Sequence, residues 1–207
     1  MSNGFANPRK TWDARFDRDD YIFGTAPNAF LAAQRARLAP GQRALAVADG
    51  EGRNSVWLAQ QGLVATAFDI APRGVAKARA LAARAGVTVD LHVAAVEQWD
   101  WTPAAYDVVV AIFVQFAAPP VRERMFAGML ATLRPGGLLL LQGYTPRQLD
   151  YRTGGPPNAD HLYTPQRLRA AFAAHEIVEL REHDEVLSEG TQHAGLSALI
   201  DCVVRRR

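Results

Sequence analysis

Along the middle of the chain, short apolar blocks alternate with segments whose apolar residues recur at helical spacing. Arg43 to Ala48 is one such block, and Arg53 to Gln61 after it carries Val56, Leu58 and Ala59 on a helical period. Val64 to Asp69 reads as a second strand. Pro72 to Ala85 reads as an alanine-rich helix, opened by a proline in its first turn and ended by Gly86, where a left-handed residue is expected. Thr88 to Ala94 is a third strand. Tyr106 to Phe113 is a fourth, and its unbroken Val108-Val109-Val110 is the pattern of a strand covered on both faces. Pro120 to Leu133 is helical, and Gly136-Gly137 turns the chain into a fifth strand, Leu138 to Gln142. Such alternation predicts an α/β fold built on a parallel, doubly wound sheet.

The C-terminal part breaks the alternation. Pro165 to Ala174 is helical, but Ile177 to Val186 and Leu196 to Val204 are strand-like with no helix between them. Their connection, Leu187 to Gly195, is turn-rich and too short for a right-handed crossover containing a helix. The two runs are therefore expected to pair antiparallel, as a hairpin at one side of the parallel sheet.

Composition narrows the reading only a little. At 207 residues, 49% of them apolar, the chain has enough material for one full core, and two domains would be cramped. The formal charge is +2, Lys10 and Lys77 are the only lysines, and the arginines are scattered except for Arg205-Arg206-Arg207. A solvated terminus accounts for that run, so nucleic acid is not the favoured partner. The single cysteine, Cys202, excludes an intramolecular disulfide framework and a multi-thiolate metal site. Met1 to Pro8 lacks a charged segment followed by an apolar one, and the apolar stretch Val108 to Ala118 is too short to span a bilayer. No leader and no membrane association are expected, and the default location is the cytoplasm.

The chemistry begins at Ala46-Val-Ala-Asp-Gly-Glu-Gly-Arg-Asn54. Gly50 and Gly52 fall between a strand and a helix, where a tight turn lets backbone approach a ligand and helix N–H groups face an anionic group. Ser55 occupies the third glycine position of a dinucleotide fingerprint, which disfavours a nicotinamide cofactor. Asp69 ends the second strand at the spacing where an acid accepts hydrogen bonds from both ribose hydroxyls. An acid before Ile-Ala-Pro is also good helix-cap chemistry, and the glycine turn upstream favours the ribose role.

This glycine turn, Asp69, Tyr106-Asp-Val-Val-Val110 and Leu133-Arg-Pro-Gly-Gly-Leu-Leu139 follow one another in a way that resembles the class I S-adenosylmethionine-dependent methyltransferases, over about residues 40 to 145. Gly50-Glu-Gly-Arg-Asn-Ser55 followed by Leu58-Ala59 is most similar to the small bacterial tellurite-resistance and thiopurine methyltransferase-like branch. The resemblance implies a Rossmann-like, seven-stranded sheet, mostly parallel with a C-terminal antiparallel hairpin, in a single domain. Residues 1–40 would form an N-terminal cap, 41–145 the cofactor core, and 146–207 a lid loop, helix and hairpin. It implies S-adenosylmethionine as cofactor, with S-adenosylhomocysteine as product and a small molecule as methyl acceptor.

The cofactor-binding residues implied are Asp49, Gly50, Glu51, Gly52, Asn54, Asp69, Ile70, Ala95, Val96, Ala111, Phe113 and Phe116. Two positions depart from the family pattern. Ala46 stands where an acid usually ends the first strand, so Asp49 would supply the carboxylate from a shifted position. Ala95 stands where an acid usually meets adenine, leaving the N–H of Val96 and apolar packing. A cofactor-binding regulatory protein without catalysis is the alternative these departures leave open. A nicotinamide oxidoreductase is disfavoured by Ser55, the terminal hairpin and the lack of a substrate domain. None of His92, His161, His175, His183 and His193 pairs with another at metal-ligand spacing. His193, in the turn Gly190-Thr-Gln-His-Ala-Gly195, is the candidate base. Trp12 to Phe30 and Gly143 to Tyr163 are aromatic-rich and irregular, as lids often are. Tyr144 is a catalytic candidate, and Tyr21, Gln115 and Tyr151 are candidates for the acceptor pocket.

Overall fold

A computed structural model describes residues 7–207; the residues before Asn7, with most of the stretch read for a leader, lie outside the described residues. Strands β1 (Arg43–Val47), β2 (Val64–Asp69), β3 (Val89–Val93), β4 (Tyr106–Ile112), β5 (Leu133–Tyr144), β6 (Glu176–Glu189) and β7 (His193–Arg205) form one sheet. Their order is β3-β2-β1-β4-β5-β7-β6. The first five pair in parallel, and β7 pairs antiparallel with both β5 and β6. This is the Rossmann-like, seven-stranded sheet that the sequence predicts. A plain dinucleotide fold would instead continue with a sixth parallel strand.

Alternation of side chains across the sheet explains why β4 is apolar throughout. Val109 and Ala111 join a core with Leu139, Leu141, Met125, Met129, Leu168 and Phe172, beneath helices α5 (Pro119–Thr132) and α7 (Pro165–Ala171). Val108 and Val110 point the other way and join Phe30, Leu31, Leu58 and Leu140, beneath α2 (Ala29–Ala33) and α3 (Arg53–Gln60). Met129 and Leu139 are fully buried, so truncating either to alanine would cost about 2–5 kcal/mol. Helix α4 (Pro72–Ala85) starts on its proline and stops at Gly86, whose φ of 68° accepts the left-handed cap as predicted.

Two boundaries differ from the sequence reading. Gly136-Gly137 does not precede β5 but lies within it: Leu133 already pairs with Tyr106, and the register shifts before Val108 pairs with Leu138. The terminal hairpin is longer and its turn tighter, because Glu189 pairs with His193 across Gly190-Thr191-Gln192. Polar residues at alternate positions of a half-exposed strand hid that extension from an apolar-run reading. The Arg205–Arg207 run is tied to the fold: Arg205 pairs with Glu176, and Arg206 donates to the Ala131 and Leu133 carbonyls. Among the described residues, no helix is long and apolar enough to cross a membrane.

Strand order changes direction at β1, which lies between β2 and β4. A crevice opens beyond the carboxyl ends of strands at such a switch point. The N-terminal helix α1 (Pro8–Arg15), held at its start by Asn7 Oδ1 on the Lys10 N–H, leads the chain into that crevice.

Candidate active site

At the end of β1 the backbone enters the left-handed region at Ala48 (φ 49°), Gly50 (φ 57°) and Gly52 (φ 89°) before α3 begins. The two glycines serve different ends. Gly50 lines the crevice, and a Cβ there would lie 3.3 Å from the Phe16 ring. Gly52 is set against α4 instead: its Cβ would sit 2.6 Å from that of Ala78. The close approach required at Gly52 is thus helix to helix, not backbone to ligand.

Asp69, at the end of β2, reaches across to this turn. Its Oδ2 accepts from the Gly50 N–H (2.9 Å) and its Oδ1 from the Ala71 N–H (2.9 Å). The residue at the N-cap of α4 is Ala71, so the cap reading of Asp69 does not describe this helix. Burial pushes the Asp69 carboxyl up to about 6, against three backbone N–H groups that pull it down. Asp49 also lines the crevice and accepts from the Ser55 N–H (3.3 Å). Its carboxyl is pushed up to about 7, mainly by burial and further by Asp69, against the Ser55 hydrogen bonds. Two carboxyls at one mouth, both pushed up by burial, make a site suited to cationic or hydroxyl groups.

The far wall comes from Ile70 and the Ala94–Glu97 backbone after β3, where Ala95 and Val96 stand as expected. The near wall comes from Ile112, Phe113 and Phe116 after β4. Phe113 has a φ of 56°, unfavourable for a side chain with a Cβ, and its N–H donates to the Gln142 carbonyl (2.8 Å). That turn brings the ring into the crevice wall, stacked on Tyr144 (4.7 Å between centroids). Trp12, Phe16 and Phe23 of the N-terminal segment complete an aromatic side. His193, the first residue of β7, lies between Phe23 (4.4 Å) and Phe113 (4.3 Å). Arg53 pairs with Glu189 at 2.7 Å behind it, the Arg53 side chain buried and that of Glu189 nearly so.

Of the residues expected from sequence, Asp49, Gly50, Asn54, Asp69, Ile70, Ala95, Val96, Phe113, Phe116 and His193 meet at this crevice. The others do not line it. Ala111 is fully buried in the core beneath α5, because strand alternation turns it from the face of Val110. Glu51 is drawn away by an ion pair with Lys77. Tyr21 donates to the Lys77 carbonyl (2.9 Å) and packs with Val56 and Leu81. Tyr144 stands behind Phe113, where burial raises the pKa of its hydroxyl. Gln115 is spent on backbone: it donates to the Tyr144 and His161 carbonyls and accepts from the Tyr144 N–H. Tyr151 bonds Asp184 at the edge of the hairpin. None of residues 143–163 lines the crevice. Their short helix α6 (Gln148–Tyr151) docks on β7 through Gln148, which accepts from the Ala198 N–H (2.8 Å).

Arg53, Glu189 and Glu97 were not anticipated. Glu189 had a readable signal: it and His193 flank a glycine turn, and a tight hairpin turn makes its flanking residues neighbours. Among the described residues, no cluster of three or more His, Cys, Asp or Glu is placed to hold a metal.

A family described as methyltransferase domain matches residues 44–137. The ubiquinone biosynthesis O-methyltransferase of Paramagnetospirillum magneticum is 32% identical over 132 residues, 64% of this chain and 47% of that one. The chain spans about half the length of the curated relatives it matches. Magnesium protoporphyrin IX methyltransferase from Synechocystis PCC 6803, solved with bound S-adenosylhomocysteine, superimposes with a TM-score of 0.72 at 17% identity, covering 96% of this chain and 97% of that one. TehB from Haemophilus influenzae superimposes with a TM-score of 0.70 at 13% identity, covering 96% and 67%. At such identities the likeness is one of fold, and it does not single out the tellurite-resistance branch. Residues 44–137 are thus similar to the methyltransferase domain family, and the sheet order and switch-point crevice around them are those of a Rossmann-like fold shared with methyltransferases.

Proposed function

We propose that the protein transfers the methyl group of S-adenosylmethionine to a small acceptor in the crevice beyond β1 and β4. The observation that carries this reading is the pair of buried carboxyls, Asp49 and Asp69, that line the crevice at the glycine turn. The cofactor offers groups that suit them: ribose hydroxyls for Asp69 and an ammonium for Asp49. Val96 would meet the adenine through its N–H, with Ile70 and Phe116 as apolar walls. When bound, the cofactor supplies a sulfonium methyl whose sulfur is a good leaving group. The protein then has to align the acceptor, exclude water and receive a proton. Trp12, Phe16, Phe23 and Phe113 suit that task, since aromatic faces favour a cation and exclude solvent. The bound relative from Synechocystis and the O-methyltransferase from Paramagnetospirillum support the same donor and reaction class.

The test is calorimetry with S-adenosylhomocysteine beside NAD, followed by donor consumption over thiols, phenols, amines and carboxylates. Binding of S-adenosylhomocysteine but not NAD, with consumption stimulated by one acceptor class, is the expected result. Binding with no consumption over the whole panel would favour a regulatory binder. NAD binding alone would overturn the reading.

A further inference from the structure

We propose that Glu189 positions His193 as proton acceptor for a neutral, largely apolar methyl acceptor bearing an ionisable O–H or S–H. This rests on the methyl-transfer reading above and names the substrate class for the same crevice. The two residues are paired across the ends of β6 and β7, and their turn is clamped. The Thr191 and Gln192 N–H groups both donate to the Ile22 carbonyl (2.9 and 3.1 Å). At Gly190 a Cβ would lie 2.4 Å from that same oxygen, so only glycine fits beneath the N-terminal segment.

Glu189 is held on three sides: by Arg53 (2.7 Å), the Ala29 N–H (3.1 Å) and Asn28 Nδ2 (3.1 Å). Asn28 is itself fixed, donating to Gln142 Oε1 (2.7 Å), and Gln142 Nε2 donates to Asp201 (2.7 Å). What remains of the carboxylate faces His193 Nδ1, 3.8 Å away, a buried nitrogen with no hydrogen-bond partner among the described residues. A carboxylate on the Nδ1 side favours, by charge, the Nδ1–H tautomer and leaves Nε2, across the ring, as the lone-pair nitrogen. Burial lowers the His193 pKa, and Arg53 and Arg15 lower it further against Glu189, so the ring stays neutral near pH 7. Tyr144, the other titratable group against this ring, is kept protonated by burial.

Charge also limits the acceptor. Arg53 is committed to Glu189, and Arg15 lies over Trp12 and donates to Gln192. Among the described residues an anionic acceptor finds no uncommitted guanidinium lining this wall, whereas a neutral ring or chain finds Trp12, Phe16 and Phe23. As the acceptor heteroatom's electron pair forms the new bond to carbon, the S–CH3 pair stays on sulfur and the acceptor proton passes to His193 Nε2. The imidazolium, stabilised by Glu189, then returns that proton to solvent.

Nitrogen-15 NMR of the full chain, with His193→Gln for assignment, reads the first half directly. The expected signal is a neutral Nδ1–H tautomer at pH 7, moving towards the other tautomer in Glu189→Gln. A protonated ring or an Nε2–H tautomer in the unsubstituted chain overturns the pairing. For the second half, S-adenosylhomocysteine formation is followed at pH 8 with phenol, which stays largely neutral there, and with 4-nitrophenol, which is largely ionised. The phenol-to-nitrophenol rate ratio should fall about 100-fold in His193→Gln. The kcat/KM limb should shift to lower pH in Glu189→Gln. An unchanged ratio, or methylation of neither probe, overturns the proposal. S-adenosylhomocysteine binding measured alongside is the separate check on the cofactor reading, and its loss in the unsubstituted chain would sink that reading instead.

Discussion

Replacing Asp49 by Asn tests whether burial in the crevice disfavours the ionised carboxyl. The side chain keeps its size and its contact with the Ser55 N–H. In the unliganded protein the Asp49 pKa is raised from 3.8 to about 7, so folding disfavours its charged form. The sign follows from proton binding: between those values the folded state holds a proton that the unfolded chain has lost. The stability cost is therefore absent below pH 3.8, grows through the window and is complete above 7. At about 1.4 kcal/mol per pH unit, the cost is roughly 1.6 kcal/mol near pH 5 and roughly 4 kcal/mol near pH 8. Asp69 shares the burden, which lowers these figures, so we expect the advantage of Asp49→Asn to grow by about 2 kcal/mol between the two conditions. Urea unfolding of both proteins at each pH measures it, and common effects of other groups cancel in the difference. Saturating S-adenosylhomocysteine should erase the advantage, because the ionised carboxylate then has an ammonium to meet. Equal stabilities at both pH values, or a variant less stable near pH 8 without ligand, would refute the reasoning.

Asp69→Ala should weaken S-adenosylhomocysteine binding by about 1.5–3 kcal/mol in calorimetry, and unchanged affinity would remove Asp69 from the site. Gly52→Ala should destabilise the protein by about 2–4 kcal/mol through a positive φ and contact with Ala78, partly relieved by Ala78→Gly. No relief in the double variant would separate Gly52 from α4 packing. Gln115→Leu should cost about 2–4 kcal/mol in unfolding, since it strands the Tyr144 N–H and carbonyl, and a loss of turnover alone would return Gln115 to the acceptor site. Hydrogen exchange should show protection on ligand addition in residues 12–23, with none in residues 144–163; joint protection of both segments would restore a two-part lid.

Local patterns determined the elements. Alternating runs between Arg43 and Gln142 forecast β1 to β5, Pro72 and Gly86 marked both ends of α4, and the missing crossover before Leu196 forecast the antiparallel hairpin. These follow from periodicity, caps and connection length, which are properties of neighbouring residues. The meeting of Gly50 and Asp69 at the crevice was legible for the same reason: a strand-to-helix turn and an acid at the next strand end lie together in any sheet of this topology. What only tertiary structure decided was which side chains were already spent. Tyr21, Glu51, Gln115 and Tyr144 sit near the right elements, but each is engaged by distant partners such as Lys77, His161 or Phe113. Likewise Glu189 and Arg53 are 136 positions apart, and no local pattern joins them. A buried polar group takes whichever partner the fold brings to it, so its role is settled by packing and not by its neighbours in sequence.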